Sequence, residues 1–195
     1  MCTTLNRIRE KLEPGTAIAV LAGTGIYGLA DFKRRKNFSS LKTLTLMYME
    51  GLYLSSGTML VAKAVVNRPR PYVYNTELPW WERYRGANNE SFFSGNATVL
   101  FYNVAFFSSV FSDLFPDSRL TPWIWGGSLA LAGFSGFLSV RSGMHYPTDV
   151  IAGAIIGGMT GFLIPLMHKE KISTRFRLTT WASSRAGGLN LAVRL

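Results

Sequence analysis

A histidine and an aspartate four residues apart carry the most direct chemical signal in this 195-residue sequence. They are His145 and Asp149, in the segment 141–149, which reads RSGMHYPTD. A histidine paired with a carboxylate can act as a nucleophile or a proton carrier, because the carboxylate fixes the tautomer and stabilises the cation. The plainer alternative is that Asp149 only favours the N-terminus of a helix opened by Pro147, with His145 in the loop before it.

A group of cations precedes this segment in the chain. Arg68 and Arg70 are each followed by a proline, which holds them in extended backbone, and Lys63 lies near the end of the preceding apolar run. Guanidinium and ammonium groups gathered in this way suit a highly charged oxyanion, above all phosphate. The alternative is that these side chains reach towards lipid head groups at a membrane surface.

A third element, Ser94-Gly95-Asn96, stands directly before another apolar run. The backbone N–H groups at the start of a helix there would form a cradle for an anion. The alternative is that Ser94 or Asn96 simply caps the helix. A histidine–carboxylate pair, a cation cluster and a helix N-terminus together indicate phosphoryl transfer through a phosphohistidine.

Five apolar runs have to position these residues: 16–30, 44–66, 97–115, 121–138 and 150–167. Their number and length predict an all-α fold, a polytopic membrane helix bundle with about five transmembrane helices. The net charge of +10 is gathered at the ends of these runs, which is typical of membrane topology and argues against nucleic acid as a partner. The single cysteine rules out an internal disulfide.

Several residues inside or beside the runs predict how they pack. Gly153, Gly157 and Gly161 form a small-residue stripe, which favours close contact between helices. Glu50 interrupts the second run, so we expect it to face the bundle interior or a polar partner. The pair Trp80-Trp81 is typical of an anchor at a membrane interface.

Basic residues predict the orientation of the bundle. Lys and Arg concentrate at 33–36 and in the tail. These two segments and the turn 116–120 fall on one side of the bundle, which the positive-inside rule makes cytoplasmic. The loops 67–95 and 139–149 then share the opposite side, where their functional residues could meet.

The pattern resembles the three-part signature of the type 2 phosphatidic acid phosphatase (PAP2) superfamily, over about residues 16–168. Lys63 followed by Arg70-Pro71 matches the first motif, Phe93-Ser94-Gly95-Asn96 is similar to the second, and the segment 143–149 is similar to the end of the third. The resemblance implies a six-helix bundle, so the usual first helix is expected to be absent or truncated. We therefore expect a helical domain at 1–168 and a basic tail at 169–195.

The resemblance also implies roles for individual residues. His145 would attack phosphorus, and Asp149 would orient it. The phosphate would be held by Lys63, Arg70, Ser94 and the Gly95 amide. Neither a metal ion nor another cofactor is implied, because cations and amides neutralise the developing charge.

Two departures from the family pattern matter for catalysis. The histidine that would protonate the leaving oxygen is Asn96, and the arginine six residues before the nucleophile is Ser139. Asparagine cannot donate a proton in catalysis, which typically costs about 10²–10⁴-fold for a poor leaving group. Arg141 lies two residues after the expected arginine and is a candidate replacement, although two residues can span ~7 Å.

The resemblance thus implies a membrane phosphatase acting on a phosphorylated lipid, of the phosphatidate or prenyl diphosphate type, slowed by the two departures. We expect it in a bacterial inner membrane with its active site on the extracytoplasmic side. The alternative is a catalytically impaired relative that binds phosphorylated lipid without turnover. The sequence indicates no oligomeric state.

Overall fold

A computed structural model describes residues 38–84, 88–169, 176–183 and 186–193. It contains four long helices, namely α1 (Phe38–Val66), α3 (Gly95–Leu114), α4 (Thr121–Arg141) and α5 (Pro147–Lys169). A short helix α2 (Trp80–Arg83) and a 3-10 turn (Pro71–Tyr74) lie in the loop between α1 and α3. The predicted helical bundle is confirmed, while the first predicted run, 16–30, lies outside the described residues.

Three helices in the described part of the chain are long and apolar enough to cross a membrane: Gly95–Leu114, Thr121–Arg141 and Pro147–His168. Many large apolar side chains on them are exposed, as expected where a helix faces lipid. Examples are Leu131, Phe134, Ile151, Ile155 and Met159. The protein is therefore a membrane protein.

Local sequence explains where the helices begin and end. Helix α1 ends before Asn67, which has a φ of 46°, a conformation that asparagine tolerates better than most residues. The Arg68-Pro69 pair that follows disfavours further helix. Helix α5 begins at Pro147, as predicted. Helix α4 begins at Thr121, with Leu120 at the cap position.

The glycine stripe brings α5 against α3, as predicted. A Cβ built on Gly153 would lie 2.6 Å from the carbonyl oxygen of Ser94, and Cβ atoms on Gly157 and Gly161 would meet the carbonyl oxygens of Thr98 and Tyr102. Only glycine permits backbones this close. Below the stripe, Tyr102 and Phe106 are fully buried in a cluster with Met47, Val110 and Ile164.

Glu50 on α1 lies near a polar partner, as expected. Its Oε2 is 3.4 Å from Nε2 of His168, near the end of α5. The pair lies at the far end of α5 from its first residue, Pro147.

The tail contains structure that the sequence analysis did not predict. Strand β1 (Phe176–Ser183) pairs with β2 (Ala186–Val193) in an antiparallel hairpin. Phe176 lies opposite Val193, and Ser183 lies opposite Ala186. The apolar residues in 189–195 alternate with the period expected of a strand.

Candidate active site

The two loops that the topology was expected to bring together do meet. Backbone hydrogen bonds join Ser91 N to Arg68 O, Tyr72 N to Gly143 O and Ser94 N to Asp149 O, each at 3.0 Å. The first bond closes the 67–94 loop on itself, and the other two fasten it to the segment that carries the histidine. Gly143 has a φ of 72°, so a residue with a side chain would strain this turn.

His145 lies at the centre of this junction and is only 5% exposed. Its Nδ1 is 2.9 Å from the carbonyl oxygen of Ser91. A carbonyl oxygen can only accept, so Nδ1 must carry the proton. In the neutral ring the lone pair is therefore on Nε2, which is the nitrogen left to act as a nucleophile.

The surroundings of His145 keep its ring neutral. Burial lowers the pKa of His145 to about 4, and the positive charges of Arg70 and Lys63 add to the effect. The bond to Ser91 and the negative charge of Asp149 oppose this shift only in part. The imidazole is thus unprotonated near neutral pH, which is the form that can attack phosphorus.

The carboxylate of Asp149 is fully buried and receives three hydrogen bonds. Nη1 of Arg68 lies 2.6 Å from Oδ1, while Oγ of Ser91 at 2.5 Å and N of Tyr146 at 2.9 Å donate to Oδ2. The bond from the N–H of Tyr146 to the Asp149 side chain is one of the two bonds of a capping box. Asp149 therefore also stabilises the start of α5. Nδ1 of His145 is 3.8 Å from Oδ2, too far for a hydrogen bond. Asp149 therefore acts on the ring through its charge, and Ser91 supplies the direct contact.

The predicted cations lie beside the histidine. Arg70 donates its backbone N–H to the carbonyl oxygen of Asn88 at 2.8 Å. Its side-chain Nε is buried and has no hydrogen-bond partner among the residues that the structure describes. A buried guanidinium N–H without a partner is costly, and an anion bound here would satisfy it. A Cβ built on Gly95 would lie 3.9 Å from Nζ of Lys63, so this ammonium group stands beside the start of α3.

The Ser94-Gly95-Asn96 element divides into different roles. Ser94 is fully buried, its Oγ accepts from Ala97 N at 3.4 Å, and its own N–H is bonded to Asp149. Ser94 is thus the N-cap of α3, which was the alternative reading of this residue. Gly95 is the first residue of α3, and the side chain of Asn96 is exposed.

Ser139 and Arg141, both near the end of α4, lie in different environments. Arg141 is the last residue of α4 and is exposed. Ser139 is 5% exposed, and its buried Oγ finds no hydrogen-bond partner within the described part of the chain. A buried serine at this position leaves no guanidinium there. In the part of the chain that the structure describes, no group of three or more His, Cys, Asp or Glu side chains could hold a metal ion.

Sequence reasoning missed Ser91 and Asn88 and gave Arg68 only a secondary place. Ser91 acts through its carbonyl oxygen as well as its hydroxyl, and a backbone acceptor leaves no trace in residue type. Oδ1 of Asn88 accepts from the hydroxyl of Tyr72 at 2.8 Å, and its backbone carbonyl accepts from the N–H of Arg70. These two bonds brace the loop that carries Arg68 and Arg70. Arg68 was visible as a proline-flanked cation, but its ion pair with Asp149 spans 81 residues.

Comparison with known proteins gives two relatives of this chain. It is 29% identical over 149 residues to a lipid A 1-phosphatase of Rhizobium etli, covering 72% of this chain and 60% of that protein. It is 33% identical over 72 residues to the bacitracin transport permease protein BcrC of Bacillus licheniformis, covering 37% of this chain and 31% of that protein. The chain thus spans less than two thirds of the length of either relative.

One solved structure and one family model also match. The crystal structure of Aquifex aeolicus LpxE aligns with a TM-score of 0.45 and 23% identity, covering 80% of this chain and 86% of that one. The model of the PAP2 superfamily matches residues 43–173, which include every residue of the junction described above. That match covers more than half of the sequence, and the chain therefore belongs to the PAP2 superfamily.

Proposed function

We propose that this protein is a membrane phosphatase that hydrolyses a lipid phosphate monoester or diphosphate through a phosphohistidine on His145. The observation that carries the proposal is the hydrogen bond from Nδ1 to the carbonyl oxygen of Ser91. It leaves the lone pair on Nε2 in a ring that burial and nearby cations keep neutral. Membership of the PAP2 superfamily and similarity to a lipid A 1-phosphatase support a phosphorylated lipid as substrate.

In the first step, Nε2 attacks phosphorus and the bond from phosphorus to the leaving oxygen breaks. Lys63, Arg70 and the first amides of α3 stabilise the charge that develops on the phosphoryl oxygens. Because Nδ1 keeps its proton, the phosphorylated ring is cationic. The carbonyl of Ser91 and the carboxylate of Asp149, 3.8 Å from Nδ1, stabilise that cation.

In the second step, water attacks phosphorus, the N–P bond breaks and inorganic phosphate leaves with neutral His145 restored. The leaving oxygen of the first step takes its proton from solvent, because Asn96 cannot supply one. A diphosphate substrate suffers less from this, since its leaving phosphate needs less protonation. We therefore favour a diphosphate over a monoester as the faster substrate.

Two features support a lipid as the carrier of the phosphate. The candidate site lies where the apolar helices α3 and α5 begin, so a bound phosphate would stand at one edge of the bundle. Trp80 and Trp81, in the same loop as Arg70, are 66% and 59% exposed, as expected for an interface anchor. We propose that this edge faces outward from a bacterial inner membrane, following the distribution of basic residues.

The direct test is phosphate release from phosphatidate and from a prenyl diphosphate by the purified protein in detergent micelles. His145→Asn is the matched variant, because the asparagine amide can still donate to the Ser91 carbonyl but cannot form the intermediate. We expect release by the parent protein and only background release by the variant. Equal release by both would overturn the proposal.

The alternative function is binding of phosphorylated lipid without turnover, which the departures at Asn96 and Ser139 favour. In that case no phosphate would be released, yet labelled lipid would remain on the protein through purification. Retention should disappear in Arg70→Ala, because that change removes a guanidinium group beside His145.

A further inference from the structure

We propose that Arg68 is a positioning residue. It holds the Asp149 carboxylate in place, so that the Nδ1–H of His145 bonds to the carbonyl oxygen of Ser91 and not to the carboxylate. Arg68 would then act through Asp149 and not by binding the phosphate. The role of Arg68 in catalysis rests on the proposed function, in which His145 is the nucleophile.

Arg68 contacts the residues that surround His145 through its side chain and its backbone. Nη1 donates to Asp149 Oδ1 at 2.6 Å and to Thr148 Oγ1 at 2.8 Å. The guanidinium carbon lies 3.9 Å from the centre of the Tyr146 ring, a cation–π contact. The backbone carbonyl accepts from Ser91 N at 3.0 Å. Arg68 thus touches both neighbours of His145 in space, Ser91 and Asp149, as well as the next residue in the chain.

The carboxylate needs this partner because it is fully buried. A buried carboxylate is stable only when a cation and hydrogen bonds replace its hydration. Ser91 and Tyr146 supply neutral donors to Oδ2, and Arg68 supplies the cation on Oδ1. With all three donors present, the carboxylate is held at 3.8 Å from Nδ1 of His145.

Four charged groups face the imidazole: Lys63, Arg70, Asp149 and, through its ion pair with Asp149, Arg68. Loss of Arg68 would remove a positive charge and free a negative one. Both changes favour the imidazolium form, so the pKa of His145 should rise. A residue that only binds phosphate from the pocket would instead change oxyanion affinity and leave the Asp149 carboxylate as it is.

The experiment uses the full chain in detergent micelles with isotope-labelled histidine. The sequence has two histidines, so a His168→Gln background leaves His145 as the single reporter. NMR titration then gives the pKa of His145 in this background and with Arg68→Gln, Arg68→Lys or Thr148→Ala added. Thr148→Ala is the matched control, because it removes the other bond of Nη1 and keeps the ion pair.

We expect Arg68→Gln to raise the pKa of His145 by about one to two units, the effect of an opposite charge at this distance. Arg68→Lys should restore most of the parent value, and Thr148→Ala should leave it unchanged. Binding of inorganic phosphate by Arg68→Gln should weaken less than threefold. If Arg68→Gln does not fold, a pKa in Arg68→Lys that falls below the parent value would overturn the proposal.

An unchanged pKa of His145 in folded Arg68→Gln, with phosphate binding weakened tenfold or more, would show instead that Arg68 binds the anion. An unchanged pKa with unchanged binding would also overturn the proposal. The titration needs no turnover, so a protein without phosphatase activity could still show the coupling between Arg68 and His145. Failure of the proposed function and failure of this inference are therefore separate results.

Discussion

Ser91 joins the candidate nucleophile to its carboxylate through two different atoms. Its carbonyl oxygen accepts from Nδ1 of His145 at 2.9 Å, and its hydroxyl donates to Oδ2 of Asp149 at 2.5 Å. The residue is fully buried, so water competes for neither bond. One residue thus fixes both the tautomer of the ring and the position of the negative charge beside it.

Because these two bonds come from different atoms, a side-chain substitution separates them. Ser91→Ala keeps the carbonyl bond to His145 but removes a donor from the buried carboxylate. We expect a loss of about 1.5–3 kcal/mol in the free energy of unfolding, the cost typical of a hydrogen bond to a charged group. We expect phosphate release to fall by less than tenfold, because the tautomer is preserved.

Ser109→Ala is the control for that change. Ser109 is also buried, on α3, but no described residue forms a hydrogen bond with its Oγ, so its loss should cost little. Both variants can be measured by unfolding in mixed detergent micelles. Equal stability of the two would mean that the Ser91 hydroxyl does not support Asp149.

The pH dependence of the reaction follows from the neutral state of His145. Protonated imidazole cannot attack phosphorus, and the pKa of His145 in the folded protein is lowered to about 4. We expect kcat/KM to rise as the pH increases through about 4. Above that pH the protonation of His145 should no longer change kcat/KM. An acid limb near the ordinary value of 6.5 would contradict this account.

The same shift links stability to pH. Between about pH 4 and 6.5 the unfolded chain binds a proton at His145 that the folded protein does not. Stability contributed by this residue is therefore lost as pH falls through that window. His145→Asn should show a smaller loss of stability over the same range.

The sequence predicted those parts of the site that depend on residue type and spacing. Pro147 and Asp149 marked the start of α5, and the glycines at 153, 157 and 161 marked its contact with α3. Lys63 and Arg70 were expected near His145, and the structure brings them there. Their roles in catalysis stay predictions.

The rest depends on long-range geometry. Nothing in residue type distinguishes the carbonyl of Ser91 as the acceptor for His145, since every residue carries one. The sequence left open whether Ser94 caps a helix or binds phosphate, because a hydroxyl before a helix can do both. The hairpin of the tail was missed because its apolar alternation is short, running only from Leu189 onwards after two glycines.

Restoring the missing acid is the most informative change at the site. Asn96→His introduces a group that can protonate the leaving oxygen, at an exposed position in the first turn of α3. We expect phosphate release from a monoester to rise by up to about 10²-fold, and release from a diphosphate to rise less. Asn96→Gln, which adds length without an acid, is the control. An unchanged monoester rate would mean that position 96 does not face the leaving group.

The contact between α3 and α5 can be tested at two adjacent glycines. A Cβ on Gly157 would collide with the carbonyl oxygen of Thr98 and lie 3.0 Å from Tyr102 N, whereas a Cβ on Gly158 would meet no atom of the described residues within 4 Å. Gly157→Ala must push the helices apart, and we expect it to destabilise the protein by about 1–3 kcal/mol. Gly158→Ala has the same helix propensity and no clash, so it should be neutral or stabilising by up to about 1 kcal/mol. Since α3 and α5 carry Gly95 and Asp149 at their first turns, we also expect Gly157→Ala to lower phosphate release. Equal unfolding transitions of the two alanine variants in detergent would show that these backbones do not pack as closely as described.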